Sequence, residues 1–107
     1  GVAQGIGQAL MEDVTYDKEG QILAGSFLDY SMPRADDLPM IETSDFVETC
    51  QTNPLGVKGG GESGTVGSIA AAVNAVVDAL SDYGVDDLEM PVTPMKVWEA
   101  IQGGKPA

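Results

Sequence analysis

The sequence lacks histidine altogether and contains a single cysteine, Cys50. The missing histidine excludes His-based catalytic triads, His general bases and His metal ligands. A single cysteine excludes an internal disulfide and a cysteine metal cluster, so we expect the side chains of this chain to hold no metal. We interpret Cys50 as a small buried hydrophobic residue, and this sparse use of cysteine fits a cytoplasmic protein.

Basic residues are also scarce. Five Lys and Arg side chains stand against 17 Asp and Glu side chains, which gives a net charge of −12. A chain this acidic lacks the positive surface that nucleic-acid binding needs, and anionic membranes repel it. No run of about 18 apolar residues occurs, so we expect no membrane span. Most of the acidic residues are interpreted as solvated surface.

The chain has 107 residues, of which 43% are hydrophobic, and this composition is that of one ordinary globular domain at most. Three stretches have helical patterns. Residues 3–12 form the first, residues 65–82 carry the longest apolar repeat at 3.6-residue spacing, and the third begins at Thr93-Pro94. The chain opens inside a helical pattern without an initiating methionine, so we expect a piece of a longer protein.

Two glycines within the first helix, Gly5 and Gly7, are unfavourable in a helix interior by about 1 kcal/mol each relative to alanine. They indicate either that another group packs closely against this helix or that the helix is weak and bent. The sequence alone favours neither reading.

Strand patterns lie between the first two helices. Residues 14–16 and 21–30 favour a hairpin around a turn at 17–20, and residues 40–49 favour a further strand. Asn53-Pro54 indicates a turn. We therefore predict an α+β fold, with short antiparallel strands and two to three helices.

The stretch GVKGGGESGT, residues 56–65, places one carboxylate, Glu62, between a run of glycines and the longest helix. It is not a phosphate-binding loop, because Lys58 precedes the glycines and an anion occupies the place of the phosphate. Ser63 or Thr65 could cap the helix. A helix N-terminus favours an ionised carboxylate and burial against a large ligand favours a protonated one, so Glu62 could act as a general base near neutral pH. Alternatively, it only favours the helix dipole.

Four segments in this order resemble one known family, the molybdenum hydroxylases. This superfamily comprises xanthine dehydrogenase, aldehyde oxidase and aerobic carbon monoxide dehydrogenase, and the similarity is to the C-terminal end of their large, molybdopterin-binding subunit. The segments are GVAQGIGQAL, YDKEGQILAGSFLDYSMPRADDLP, NPLGVKGGGESGT and TPMKVWEAI. The resemblance implies that residues 1–107 are part of a larger molybdopterin-binding domain and that the isolated fragment is inactive.

The resemblance also implies roles for individual residues. Glu62 matches the family glutamate that lies beside the molybdenum and acts as the base. Gln4 matches a glutamine that contacts the pterin in parts of the family. Gly60, Gly61 and Ser63 would line the cofactor side of the loop.

The same resemblance implies the partners of the chain. The cofactor is molybdenum–molybdopterin, in its cytosine dinucleotide form, and iron–sulfur clusters and FAD lie on partner domains or subunits. The small-molecule substrate is an aldehyde, an N-heterocycle or carbon monoxide, and water supplies the oxygen atom. Two other interpretations stay open: a non-catalytic acidic structural or interaction domain whose glycine loop only caps a helix, and a small nucleotide-binding module.

Overall fold

The computed structural model describes residues 1–103, so the last four residues of the predicted 1–107 segment lie outside the described part. Its helices are α1 (Val2–Leu10), α2 (Ser63–Ala79) and α3 (Pro94–Gly103), and a short 3₁₀ turn (Ser81–Tyr83) follows α2. The prediction of two to three helices is therefore confirmed. Within the described residues, no helix is long and apolar enough to cross a bilayer.

The ends of the helices follow local signals. Gly84 adopts φ = 71° and closes the 3₁₀ turn, with its N–H donating to the carbonyl of Ser81 at 2.9 Å. This left-handed conformation is one that glycine adopts without steric cost. At the start of α3, the Thr93 hydroxyl oxygen accepts a hydrogen bond from the Lys96 N–H at 3.4 Å, as expected for a Thr-Pro helix start.

The predicted antiparallel strands are wrong. Between residues 11 and 62, the structure has one isolated antiparallel bridge, from Tyr16 to Ile22. The turn itself is present, because Asp17 accepts hydrogen bonds from the Gln21 N–H at 2.8 Å and the Glu19 N–H at 3.0 Å. The hairpin thus forms at its turn, but the chain beyond Leu23 bends away before a ladder develops.

The strand predicted at residues 40–49 is also wrong for the described structure. Residues 39–50 have no regular secondary structure. Met40 and Phe46 are each 95% exposed, and Val47 is exposed as well. A strand is defined by a hydrogen-bonded neighbour, and its apolar side chains favour the extended form chiefly by packing on neighbouring side chains. Within the described residues this segment has neither, so its strand propensity has no effect.

Helices α1 and α2 pack directly against each other, and the glycine of α1 at the crossing is required by the close approach. A Cβ atom built on Gly5 would overlap the hydroxyl oxygen of Ser68 and lie 2.7 Å from the carbonyl oxygen of Thr65. On another side of α1, Gly7 lies against the ring of Pro33, where a Cβ would also overlap. The glycines of α1 therefore reflect close packing rather than a weak helix.

We predict that Gly5→Ala destabilises the protein by about 1–3 kcal/mol, because the added methyl group overpacks a contact that backbone atoms form. A lowered melting temperature of the intact protein measures this effect. The matched control is Gly67→Ala in α2, since a Cβ built there meets nothing within 4 Å. Alanine should raise helix stability at that position by up to about 1 kcal/mol. Equal melting temperatures for the two variants would contradict the close helix crossing.

The buried core of the described segment is small. Its buried hydrophobic residues are Ala9, Leu80, Val85 and Val92. The carbonyl of Ala9 accepts a hydrogen bond from the Val92 N–H at 2.7 Å, which joins the end of α1 to the segment that precedes α3. The radius of gyration is 17.9 Å, whereas a compact domain of this length would have about 13 Å. The segment therefore has an extended shape with little interior of its own.

Candidate functional site

A tight loop at residues 50–57 leads into the glycine run. The Cys50 N–H donates to the carbonyl of Gly56 at 3.0 Å, and Gly56 adopts φ = 65°. Asn53 bonds to both backbone groups of Val57: its Nδ2 donates to the carbonyl at 2.9 Å, and its Oδ1 accepts from the N–H at 3.2 Å. The turn predicted at Asn53-Pro54 is thus confirmed, and it fixes the point from which the glycine run departs.

Glu62 is the N-cap residue of α2, but its side chain does not cap the helix. No side-chain cap hydrogen bond is formed, and Glu62 is exposed. Its carbonyl accepts the first intrahelical bond, from the Val66 N–H at 3.0 Å. The backbone therefore uses Glu62 to begin the helix, while the carboxylate is left without a structural hydrogen bond at that position.

The neighbouring residues leave space around this carboxylate. A Cβ atom built on Gly59 or on Gly61 would meet nothing within 4 Å. The Ser63 hydroxyl donates to the carbonyl of Gly60 at 2.8 Å and so closes the loop on itself. Ser63 therefore does not cap α2, contrary to one of the two capping options. The predicted site residues Gly60, Gly61, Glu62 and Ser63 form one continuous exposed turn.

Gln4 lies at the same end of the helix pair, although the sequence separates it widely from Glu62. The hydroxyl of Thr65 donates a hydrogen bond to Oε1 of Gln4 at 3.2 Å. Thr65 belongs to the first turn of α2, which begins directly after Glu62. The structure thus brings Gln4 to the helical turn that carries Glu62, and the second capping option, Thr65, is also wrong.

The first residues of α1 lie against the first turn of α2 at this end. A Cβ atom built on Gly64 would lie 3.0 Å from the backbone nitrogen of Val2 and 3.2 Å from the Cα of Gly1. The two helices therefore approach each other closely beside Glu62, the N-cap residue of α2. With the open glycine turn and the amide of Gln4 at the same end, the residues present leave room and polar groups for a large, polar cofactor.

This end of the molecule would contact such a cofactor through its organic part. Among residues 1–103, no three His, Cys, Asp or Glu side chains are grouped so that they could hold a metal ion. Glu62 and the glycine backbone instead offer a carboxylate and N–H groups next to open space.

The interpretation of Cys50 as a buried hydrophobic residue is wrong. Its side chain is half-buried, and it contacts a polar group. Its thiol lies 3.1 Å from the hydroxyl oxygen of Thr52. Hydrogen bonding from the Thr52 side chain, and then from its backbone and from Asn53, lowers the pKa of Cys50. The thiol thus helps to order the loop that precedes the glycine run.

Sequence reasoning missed two residues of the helix contact, Thr65 and Ser68. The hydroxyl of Ser68 lies 3.2 Å from the carbonyls of Val2 and Thr65, and Ser68 is buried. A signal was present: small or hydroxyl residues recur at helical spacing at 64, 65 and 68, opposite the small residue Gly5. Pairing of two small-residue faces could have predicted the crossing.

Comparison with known proteins identifies relatives along nearly all of the chain. A family model described as a molybdopterin cofactor-binding domain matches residues 1–39, which include α1 and Gln4 but not Glu62. The chain is 45% identical over 103 residues to the nicotine 6-hydroxylase large subunit of Paenarthrobacter nicotinovorans, covering 96% of this chain and 13% of that subunit. It is 36% identical over 102 residues to the carbon monoxide dehydrogenase large chain of Hydrogenophaga pseudoflava, covering 95% and 13%.

A solved structure supports the same relationship. Quinoline 2-oxidoreductase from Pseudomonas putida 86 superposes with a TM-score of 0.90 at 38% identity, covering 97% of this chain and 13% of that chain. The chain thus spans about 13% of the length of the relatives it matches. The similarity extends over sequence and structure alike, across the helices and the glycine turn. The chain therefore belongs to the molybdenum hydroxylases, as a segment related to their molybdopterin-binding large subunit.

Proposed function

We propose that this segment supplies the general base of a molybdenum hydroxylase, an oxidoreductase that hydroxylates or oxidises a carbon centre with water as the source of oxygen. Residues 1–107 form part of a larger molybdopterin-binding domain. The base is Glu62. The observation that carries this role is its position: it is the N-cap residue of α2, beside open glycine backbone, and its carboxylate makes no cap hydrogen bond.

Two features of the chain would act on the reaction: the carboxylate of Glu62 and the space left by the glycines beside it. The carboxylate of Glu62 lies at the beginning of α2 without a cap hydrogen bond, so it is available to accept a proton from the reacting oxygen. Gly59 and Gly61 carry no side chain that would keep a bulky group away from that carboxylate. When bound, the molybdenum cofactor supplies water activation and accepts the electrons of the oxidation.

The cofactor in this proposal is molybdenum–molybdopterin in its cytosine dinucleotide form. The amide of Gln4 and the backbone of Gly60 and Gly61 contact it, and Ser63 lies at the edge of the same turn. Iron–sulfur clusters and FAD, which would carry the electrons away, would be held by partner domains or subunits, since the single cysteine of this chain, Cys50, could not ligate a cluster.

The alternative of an acidic structural domain has less support. In it the glycine loop only caps α2, and the Glu62 side chain adds no cap hydrogen bond to that role. It also requires a core that folds independently, whereas the described residues bury few hydrophobic side chains. A nucleotide-binding module is disfavoured as well, because Lys58 precedes the glycines and Glu62 occupies the anion position.

The substrate class favoured here is an aromatic N-heterocycle. The names of two relatives, nicotine 6-hydroxylase and quinoline 2-oxidoreductase, refer to heterocyclic nitrogen compounds, and they match at 45% and 38% identity. The carbon monoxide dehydrogenase large chain matches at 36%. Aldehydes and carbon monoxide are the other two kinds of substrate that the resemblance to this family implies.

We predict that the intact complex contains molybdenum and cytosine dinucleotide, and that it reduces an electron acceptor with pyridine or quinoline substrates. The product made in ¹⁸O-labelled water should carry the label, because water supplies the oxygen. Mass spectrometry of cofactor and product measures both. Aldehydes and carbon monoxide serve as comparison substrates in the same assay. A complex without molybdenum, or a product labelled from O₂ instead, would contradict the proposed function.

A further inference from the structure

We infer that Thr65 is a positioning residue for Gln4, holding its amide so that the N–H groups of Gln4 are the ones offered to the cofactor. This inference rests on the proposed function. The roles proposed above for the glycine loop and for Glu62 do not involve the Thr65 hydroxyl. Its basis is the hydrogen bond from the Thr65 hydroxyl to Oε1 of Gln4, which joins α1 to α2 at 3.2 Å.

The chemistry of the two side chains determines what this bond does. A glutamine amide has one acceptor oxygen and two N–H donors, and half a turn about its Cγ–Cδ bond exchanges the positions of the oxygen and the nitrogen. The Thr65 hydroxyl donates its single proton to the oxygen. With its oxygen engaged in this way, Gln4 has its N–H groups left to donate to an acceptor on the bound group. Without the hydroxyl, the amide loses the hydrogen bond that holds it in this orientation.

The surrounding contact makes this arrangement rigid. Gly5 follows Gln4 and lies so close to α2 that a Cβ would be 2.7 Å from the carbonyl of Thr65. The buried hydroxyl of Ser68 lies 3.2 Å from that same carbonyl and 3.2 Å from the carbonyl of Val2. Backbone and side-chain contacts on both sides of Thr65 therefore fix the separation of the two helices.

Thr65 also connects Gln4 to the base. It lies in the first turn of α2, and the carbonyl of Glu62 accepts the Val66 N–H at 3.0 Å within that turn. The hydrogen bond therefore joins the proposed cofactor contact, Gln4, to the helical turn that begins at the proposed proton acceptor, although the two are far apart in the sequence.

The first test compares Thr65→Val with Thr65→Ser in the intact complex. Valine has nearly the shape of threonine but no hydroxyl, and serine keeps the hydroxyl. We expect Thr65→Val to lose molybdenum and pterin roughly 2- to 12-fold faster during extended gel filtration, the range that corresponds to one neutral hydrogen bond. Thr65→Ser should retain the cofactor like the wild type. Metal analysis and pterin fluorescence measure the retained amounts without reference to turnover.

The second test is a double-mutant cycle with Gln4→Met, which replaces the amide by an apolar chain of similar length. If Thr65 acts through Gln4, Thr65→Val should have no further effect on cofactor retention in the Gln4→Met background. The molybdenum(V) resonance spectrum of the Thr65→Val variant should also differ from that of the wild type, which a merely structural role would not produce. The melting temperature of the apo-protein should be the same for Thr65→Val and Thr65→Ser.

Each outcome decides the inference. Wild-type retention by Thr65→Val overturns it, and so does equal loss by Thr65→Val and Thr65→Ser, since packing rather than the hydroxyl would then be responsible. Additive effects of Thr65→Val and Gln4→Met overturn it as well. A wild-type complex without molybdenum overturns the proposed function, and this role with it. The first three results are obtained on a molybdenum-containing wild type and so leave the proposed function intact.

Discussion

Replacing Glu62 by glutamine in the intact enzyme is expected to leave the molybdenum content near normal and to lower turnover about 10²–10⁴-fold, as for the loss of a general base. Glutamine keeps the size of the side chain and removes the carboxylate. The helix should tolerate the change, because the Glu62 side chain makes no cap hydrogen bond that the substitution would break. Its backbone carbonyl, which accepts the Val66 N–H, is unchanged.

The measurement separates chemistry from assembly. Molybdenum per subunit is determined by mass spectrometry, and turnover is then expressed per molybdenum atom. The control is Glu19→Gln, which neutralises an exposed carboxylate in the turn at Asp17–Gly20, a region apart from the glycine turn in the sequence. Glu19→Gln should have wild-type turnover. Wild-type turnover in Glu62→Gln would exclude the base role, and loss of molybdenum in that variant would instead indicate a role in cofactor binding.

The sequence predicted the helices and the glycine turn because their signals are local. The longest helix has a sustained apolar repeat, Gly84 can adopt a left-handed conformation, and Thr93-Pro94 starts a helix by its own geometry. The contact between α1 and α2 was not predicted: the glycines at 5 and 7 left close packing and a weak, bent helix equally open, and they did not indicate a partner. That partner, Ser68 with Thr65, lies far away in the sequence, and single-residue patterns do not encode such pairs.

The strand predictions were wrong for a related physical reason. A strand prediction describes side chains that favour an extended, half-buried backbone, yet the strand forms only where another strand provides hydrogen bonds. Residues 39–50 have the composition, but no neighbouring strand within residues 1–103. For the candidate site, the spacing correctly predicted that Glu62 lies at a helix start. Its role as a base is implied by the resemblance to the molybdenum hydroxylases and stays a prediction.

The isolated chain is expected not to fold as a compact domain. Its described residues bury few hydrophobic side chains, and large apolar residues such as Leu28, Met40 and Phe46 are almost fully exposed. Hydrophobic burial is the main favourable contribution to folding, and it must exceed about 1–2 kcal/mol of backbone entropy per ordered residue. A net charge of −12 adds self-repulsion. The exposed apolar surface is therefore expected to be covered by the rest of the large subunit.

Small-angle scattering and circular dichroism of the isolated 107-residue chain test this expectation, by the radius of gyration and the thermal transition. The radius of gyration should exceed the 17.9 Å of the structure and approach the value of about 33 Å for an unfolded chain of this length. Thermal melting should show no cooperative transition. The control is the same segment within the intact large subunit, where hydrogen exchange at α1 and α2 should be slow.

A cooperative transition with a radius near the compact value of about 13 Å would contradict this expectation. It would also favour the independent acidic domain over the enzyme segment, because such a domain must form its own core. An expanded isolated chain that becomes protected in the large subunit supports the opposite conclusion. In that case the position of Glu62 depends on contacts outside this segment as well as on the α1–α2 crossing, and the proposed base is positioned only in the assembled protein.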